Sequence, residues 1–260
     1  MALNGWTKKC MINVSANKIT SSGTNQVLLF SASHFNSEML TLGGANACKT
    51  DGSDVRFSLD ANADSILGAQ ILNISLNATP ASSVFVVAIR FPSLTANTAF
   101  SCYCHWGNSS AEVPAPLSVA GSGTCLSEFY GVLPLTENPA SFTTAATKWK
   151  CFKDATSRYS AGSLIGQVTS GISSPIPGLS TLQIGASGGI QIPEVAATNK
   201  GGFQIAMLCN IDTSGSGGTF FTENATSVSN GFSFNSTGVP VIQYSGDYGT
   251  FMSSEYGSWG

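Results

Sequence analysis

Three charged residues lie within six positions near the start of the chain, in the sequence DGSDVRF. Asp51, Asp54 and Arg56 stand out because only 10% of the 260 residues are charged. Two carboxylates this close could act as an acid–base pair or bind a metal ion. A structural interpretation is favoured, because an arginine fork can hold a carboxylate and a loop carbonyl together. The only other acids within ten residues are Asp60 and Asp64, and no histidine lies in that range.

A second acidic stretch, Asp60, Asn62 and Asp64, has the D-x-N-x-D spacing that begins a calcium loop. The EF-hand form needs Gly at the sixth position and an acid at the twelfth. Ser65 and Ile71 occupy those positions, so a hairpin turn is favoured, and the three residues are kept as candidate calcium ligands. No other metal and no cofactor are predicted.

Catalytic motifs are missing from the sequence. There are two histidines, His34 and His105, and no H-E-x-x-H, G-x-S-x-G or P-loop pattern. Glycoside cleavage would need two carboxylates facing one groove, whereas the acids of the second half stand singly at the ends of predicted strands. We predict no catalytic residues and no enzyme.

Composition narrows the possible partners. The hydrophobic fraction is 42% and the net charge is −3, whereas charged residues make up about a quarter of typical soluble domains. Such a surface suits a protein that is largely covered by neighbours. No basic run extends beyond Lys8-Lys9 and no stretch offers 18 consecutive apolar residues, so nucleic-acid binding and membrane insertion are not expected.

MALNGWTKKC lacks the apolar core of a signal peptide, so we expect the chain to fold where it is made.

The cysteines and the C-terminal aromatic residues are expected to pack. Seven cysteines without a repeated spacing predict reduced, apolar-type thiols rather than a disulfide framework. In CYCHW, Cys102 and Cys104 share a strand face and His105 points away, so both cysteines are expected to fill the core.

Five aromatic residues lie near the chain end: Tyr244, Tyr248, Phe251, Tyr256 and Trp259. Their rings could contact a neighbouring subunit, which is favoured, or a glycan.

Short runs of Val, Ile, Phe and Thr separated by Gly, Asn, Ser and Pro predict an all-β fold. Strands are expected near 10–19, 26–33, 54–60, 66–76, 83–91 and 99–106, and then from about 128, 148, 188, 202, 219, 231 and 239. Residues 84–91 are apolar enough for a strand buried on both faces, ending at Pro92. In DVRFSLD, Phe57 and its alternate neighbours face one side and Arg56 with the other polar residues faces the opposite side.

Residues 109–124 have no regular period, which indicates a linker. We predict a domain over 1–108, a linker over 109–126 and a second domain over 127–260.

The order of NGWTKKCMINV, NQVLLFSASHFNSEML, DGSDVRF, ILGAQI and VAIRFPSLTANTAFSCYCHWGNSSA resembles a bacterial and phage domain family of unknown function. That family is recognised by a DGSD-[IV]-RF core and a closing aromatic-aromatic-Gly-Asn segment, and the resemblance covers about residues 5–111. Gln70 replaces the usual Glu, and Cys102, Cys104 and His105 stand where the family has hydrophobic residues or Tyr. The matching signature residues are Asp51, Gly52, Asp54, Arg56, Phe57, Trp106, Gly107 and Asn108.

In that family, a concanavalin A-like, laminin-G-like lectin domain often follows. The second half is similar to the start of such a domain in FYGVLPL, FKDATSRYSAGSLIG, GGIQIP and GGFQIAMLCNID. The resemblance implies two β-sandwich, jelly-roll-like domains in tandem, the second shortened.

The resemblance and the low charge together imply a non-enzymatic structural or adhesion protein of a bacteriophage virion: a fibre, decoration or tail component made in the host cytoplasm. Its expected partners are other virion proteins, further copies of itself, for example as a trimer, and host-surface glycan. The alternative is a carbohydrate-binding module of a bacterial surface protein, located at the cell surface.

Overall fold

The computed structural model describes residues 3–115, 117–127, 163–165, 168–173, 177–184, 189–191, 218–222, 231–234 and 240–243. The chain divides into two compact units, Met1–Ala197 and Thr198–Gly260. Over these described residues the regular secondary structure is mostly strand, with a single α-helix of four residues. The all-β expectation is confirmed. None of the helices in this part of the chain is long and apolar enough to span a membrane.

Seven strands form two antiparallel sheets in the first half of the chain. One sheet has the order β1-β7-β3-β4 and the other has the order β2-β6-β5. The strands are β1 (Lys8–Val14), β2 (Gly23–Ser31), β3 (Arg56–Ser58), β4 (Ile66–Leu67), β5 (Ala69–Ser75), β6 (Val84–Leu94) and β7 (Phe100–Trp106). Three 3-10 turns complete the described elements of this region: Ala16–Lys18, Ala32–His34 and Pro80–Ser82.

The two sheets share one hydrophobic core. Phe57 of β3 and Cys104 of β7 are opposed in register and belong to the same buried cluster as Phe85 of β6. Phe35, in the loop after β2, meets Phe85 edge-on with ring centroids 4.8 Å apart. Alternate residues of each strand therefore reach a common interior, as the period-two pattern predicts.

Strand β6 is buried on both faces, which confirms the expectation for residues 84–91. Its second face presents Val86 and Ala88 to Cys125 and Leu126, which lie in and directly after helix α1 (Ser122–Cys125). The strand was expected to end at Pro92, but it continues to Leu94.

Pro92 is tolerated within β6 because no ladder bond is needed from it. The paired residues skip from Thr24↔Ser93 to Gln26↔Phe91, and the intervening Asn25 takes a positive φ of 55°. The ring of Pro92 is exposed, and a missing N–H at such a position costs little.

Gly68 interrupts the strand that was expected over 66–76, giving β4 and β5. A Cβ at Gly68 would lie 2.9 Å from the backbone nitrogen of Cys125, so α1 approaches the backbone closely here. The Gly68 carbonyl accepts a hydrogen bond from the Arg90 backbone N–H at 2.9 Å. The break therefore belongs to the docking of α1 on this sheet.

The segment expected to be a linker packs against the second sheet. Cys125 and Leu126 are buried, and the guanidinium of Arg90 donates to the carbonyl oxygen of Thr124 at 2.7 Å and to the Ser127 hydroxyl. The end of the segment 117–127 therefore covers one face of the second sheet, and we call β1 to β7 together with this segment the first region. The domain limits themselves stay a prediction.

Seven further strands are described, in three small antiparallel sheets with the orders β10-β9, β11-β8 and β12-β13-β14. Their bounds are β8 (Ser163–Ile165), β9 (Val168–Ser173), β10 (Ser180–Ile184), β11 (Gly189–Gln191), β12 (Gly218–Thr222), β13 (Gly231–Phe234) and β14 (Pro240–Gln243). The last four match the strands expected from about 188, 219, 231 and 239, whereas β8, β9 and β10 were not predicted. The strands expected from 128, 148 and 202 lie outside the described residues.

Candidate functional site

The DGSDVRF stretch begins with the predicted turn. The Asp51 carboxylate accepts a hydrogen bond from the Ser53 N–H at 2.9 Å, and this bond lowers the pKa of Asp51. Gly52 has φ +69°, and a Cβ there would collide with the side chain of Ile71. Glycine is needed for both reasons, and the turn starting at Asp51-Gly52 is confirmed.

Asp54 is a buried carboxylate whose two oxygens both accept backbone amides. Oδ1 accepts from the Lys49 N–H at 2.8 Å and Oδ2 accepts from the Gly107 N–H at 2.9 Å. Its carbonyl oxygen accepts the Trp6 indole N–H at 2.5 Å. The residue is 2% exposed. Asp54 therefore joins the chain start, its own loop and the end of β7.

Arg56 is buried beside Asp54, but its hydrogen bonds go to carbonyl oxygens. The guanidinium donates to Ser53 at 2.8 Å, to Val55 at 2.7 Å and to Glu112 at 2.7 Å. The expectation that its fork holds a carboxylate is wrong; Asp54 acts on it electrostatically. Burial lowers the pKa of Arg56, and the charge of Asp54 opposes that shift.

Two tryptophans complete this cluster. The Trp6 ring lies 5.2 Å from the Arg56 guanidinium carbon, within cation–π range. Trp106 is buried, and its indole N–H donates to the Asn46 carbonyl at 2.7 Å. We call Trp6, Asp54, Arg56, Trp106 and Gly107 the Asp54 cluster.

Most signature residues from the sequence meet at the Asp54 cluster or beside it. Gly107 has φ +86° and places its N–H on Asp54. Asn108 follows it, and its side-chain oxygen accepts the Ser110 N–H at 3.1 Å. Phe57 points away, into the core. The polar atoms of the cluster are engaged by neighbouring backbone groups, so the arrangement connects segments rather than presenting reactive groups.

A serine–histidine pair lies on the same polar face of the first sheet, and sequence reasoning missed it. Ser58 Oγ and His105 Nε2 are 2.7 Å apart, and Ser58 Oγ donates to the Asp60 carbonyl at 2.6 Å. Because the hydroxyl proton goes to Asp60, His105 serves as the donor to Ser58. Ser58 is fully buried. This geometry supports the fold and does not activate a nucleophile.

The candidate calcium residues form the turn between β3 and β4. Asp60 Oδ1 accepts the N–H groups of Asn62 at 3.0 Å and Asp64 at 3.1 Å, and Oδ2 accepts the Ser65 N–H at 2.8 Å. These bonds, chiefly those from Asp64 and Ser65, lower the pKa of Asp60. The contacts are those of a capped turn. No group of three or more His, Cys, Asp or Glu suited to a metal occurs among the described residues, and calcium binding stays a hypothesis.

The cysteines of CYCHW fill the core, as expected. Cys102 and Cys104 are fully buried, and Cys104 Sγ lies 3.7 Å from Met39 Sδ. Burial raises the pKa of Cys102 to about 12. Cys151 and Cys209 lie outside the described residues.

One open groove of about 170 Å³ lies beside the connection between β6 and β7. Its walls combine apolar side chains with hydroxyl groups and carry no charge. The volume is below the roughly 300 Å³ typical of small-molecule sites. It is lined by Leu59, Phe91, Ser93, Leu94, Thr95, Thr98, Phe100 and Ser101.

Several large apolar side chains are exposed within the predicted linker. Val113, Leu117 and Val119 are 68%, 71% and 65% exposed. The aromatic residues of the chain end, Tyr244 to Trp259, lie outside the described residues.

No family model, curated protein or solved structure matches the chain. The resemblance to the DGSD-[IV]-RF family and to the lectin domain stays a hypothesis based on the quoted motifs.

Proposed function

We propose that the chain is a non-enzymatic structural or adhesion protein of a bacteriophage virion, serving as a fibre, decoration or tail component. It is built from two tandem β-sandwich domains and assembles with copies of itself and with other virion proteins. The proposal is based on the motif resemblance, and it places the protein in the virion.

The observation that carries the proposal is the use of the buried charges. Asp54 and Arg56 are buried charged residues of the described part of the chain, and the side chains of both form hydrogen bonds with backbone groups. A reactive site would leave such groups open toward a cleft. The first region is therefore best suited to act as a scaffold.

Exposed apolar surface supports a role in assembly. A chain with 10% charged residues has little electrostatic repulsion to keep its copies apart. In addition, Val113, Leu117 and Val119 expose methyl groups to solvent. Contact with a second protein surface would remove them from water. Such contact is expected of a particle component.

The proposal is tested by mass spectrometry of purified phage particles from a culture that encodes the chain. We expect the chain in the particles in multiple copies, and its gene beside portal, capsid or tail genes. Particles without the chain, with its gene in a polysaccharide-utilisation cluster, would refute the proposal.

The second candidate is a carbohydrate-binding module of a bacterial surface protein, favoured by the glycine-spaced aromatic residues Tyr244, Tyr248, Phe251, Tyr256 and Trp259. Aromatic faces stack on sugar rings. Glycan-array binding that is lost with EDTA would support this candidate, and absence of binding to any glycan would count against it.

A further inference from the structure

Cys10 and Cys104 lie directly opposite each other in the antiparallel pair of β1 and β7. Directly opposed residues of such a pair have Cα atoms about 4.5 or 5.5 Å apart and side chains on one face. Disulfide-bonded cysteines have Cα atoms about 4.4–6.8 Å apart. The ladder thus holds the two residues at a separation that suits a disulfide.

The two thiols differ in access. Cys104 is fully buried, whereas Cys10 is half-buried at the margin of the same core. Their side chains project from the same face of the strand pair, so the two thiols are neighbours. A small reagent can therefore reach Cys10 first, with Cys104 lying directly behind it.

The proximity of Cys104 also favours ionisation of Cys10. Interaction with the Cys104 thiol, opposed by burial, lowers the pKa of Cys10 to about 7, so a large fraction of this thiol is ionised at neutral pH. Thiolate is the nucleophilic form. Burial raises the pKa of Cys104 well above its usual value, so Cys10 rather than Cys104 makes the first attack.

We propose that Cys10 and Cys104 form an oxidation-sensitive thiol pair that a small disulfide such as oxidised glutathione converts into a cross-strand disulfide. The Cys10 thiolate attacks one sulfur of the reagent, whose S–S bond breaks and releases one glutathione thiolate. Cys104 Sγ then attacks Cys10 Sγ, loses its proton and releases the second glutathione as a thiol. Two protein thiols are oxidised and one reagent disulfide is reduced to two thiols.

The position of β1 gives this bond a structural effect. Strand β1 is at the edge of its sheet and pairs only with β7 among the described strands. A covalent link between the two strands restricts the unfolded chain and holds the edge strand in register. We expect the oxidised chain to unfold at a higher urea concentration than the reduced chain.

The test uses the reduced full-length chain in a glutathione redox buffer at neutral pH, followed by alkylation and digestion with trypsin and chymotrypsin. Cleavage after Lys9 isolates Cys10, and cleavage after Tyr103 separates Cys102 from Cys104. Mass spectrometry then identifies each linked pair. We expect a peptide that joins Cys10 to Cys104, while Cys48 stays open to alkylation after unfolding.

Variants distinguish this pair from other thiols. Cys10→Ser should abolish the linked peptide and the shift in urea midpoint, whereas Cys125→Ala, at a buried cysteine of α1 that packs on the other sheet, should keep both. Cys104→Ala should leave Cys10 as a stable mixed disulfide with glutathione. Should that variant not fold, Cys10→Ser decides alone. Linkage of Cys10 to any other cysteine, glutathione on Cys10 as the only product in the unaltered chain, or no reaction would each overturn the proposal.

Discussion

At the scale of single residues, Asp54 is the centre of the polar cluster. Its carboxylate accepts two backbone amides from segments on either side of β3, and its charge lies beside the buried Arg56. Removing one member of a buried charged pair lowers the free energy of unfolding strongly, because the other charge stays buried without compensation. Asp54 is therefore expected to matter for folding rather than for chemistry.

Asp54→Asn keeps the shape of the side chain but places an NH2 group against a backbone N–H. We expect a loss of about 3 kcal/mol in the free energy of unfolding, measured by urea titration. The matched control is Asp51→Asn at the exposed start of the same turn, where less than about 1 kcal/mol is expected. Equal effects of the two substitutions would contradict the role given to Asp54.

The pH dependence of stability is expected to report on His105. Burial, and then the charge of Lys9, lower its pKa below the ordinary value of 6.5. The unfolded chain therefore binds the proton first, so this contribution is fully present above pH 6.5 and is lost as the pH falls below it. His105→Gln should weaken the dependence of the urea midpoint on pH between pH 6.5 and the onset of carboxylate titration. His34→Gln, at an exposed histidine, is the control. An unchanged pH dependence in His105→Gln would contradict this account.

Local residue patterns predicted some of these contacts and missed others. The turn at Asp51-Gly52 and the buried Cys104 follow from short-range rules, namely glycine at a positive φ and alternation along a strand. The partners of Arg56 could not be predicted, because one of them is the carbonyl of Glu112, 56 residues away. The Ser58–His105 contact spans 47 residues and depends on the register of β3 against β7.

At the scale of elements, the second face of β6 is covered by a segment that follows β7. Val86 and Ala88 are covered by Cys125 and Leu126. The sequence indicated a strand buried on both faces but did not indicate its cover, because residues 109–124 lack any period and the contact depends on the close approach at Gly68.

The packing of this segment predicts unequal effects for two leucines nine positions apart. Leu126→Ala, at 2% exposure, should cost about 3 kcal/mol of unfolding free energy because it leaves a cavity. Leu117→Ala, at 71% exposure, should change stability by less than about 0.5 kcal/mol. Urea titration of the full chain measures both. Similar small losses at both positions would mean that α1 does not belong to the core.

Strand prediction was most successful where the alternation is regular. All six strands expected in the first half have counterparts, with shifted ends and with one strand divided at Gly68. In the second half β8, β9 and β10 were missed, since they are short and polar residues stand among their few apolar ones. A strand pattern does not predict how small sheets pack together. The expectation of two tandem sandwiches therefore stays a prediction.

At the scale of the whole molecule, the chain combines little charge with exposed apolar side chains. Met11 on β1 and Leu29 on β2 are exposed on strands at sheet edges, where unpaired backbone groups favour pairing with another chain. Lys8 and Lys9 on β1 oppose such pairing at one end. We therefore expect defined association rather than a free monomer, in accord with the proposed structural role.

The most direct measurement of this central claim is multi-angle light scattering of the purified full-length chain over a wide concentration range. The account predicts a discrete homo-oligomer, such as a trimer, whose mass is a multiple of 26.8 kDa and persists on dilution. A soluble monomer at every concentration would contradict it.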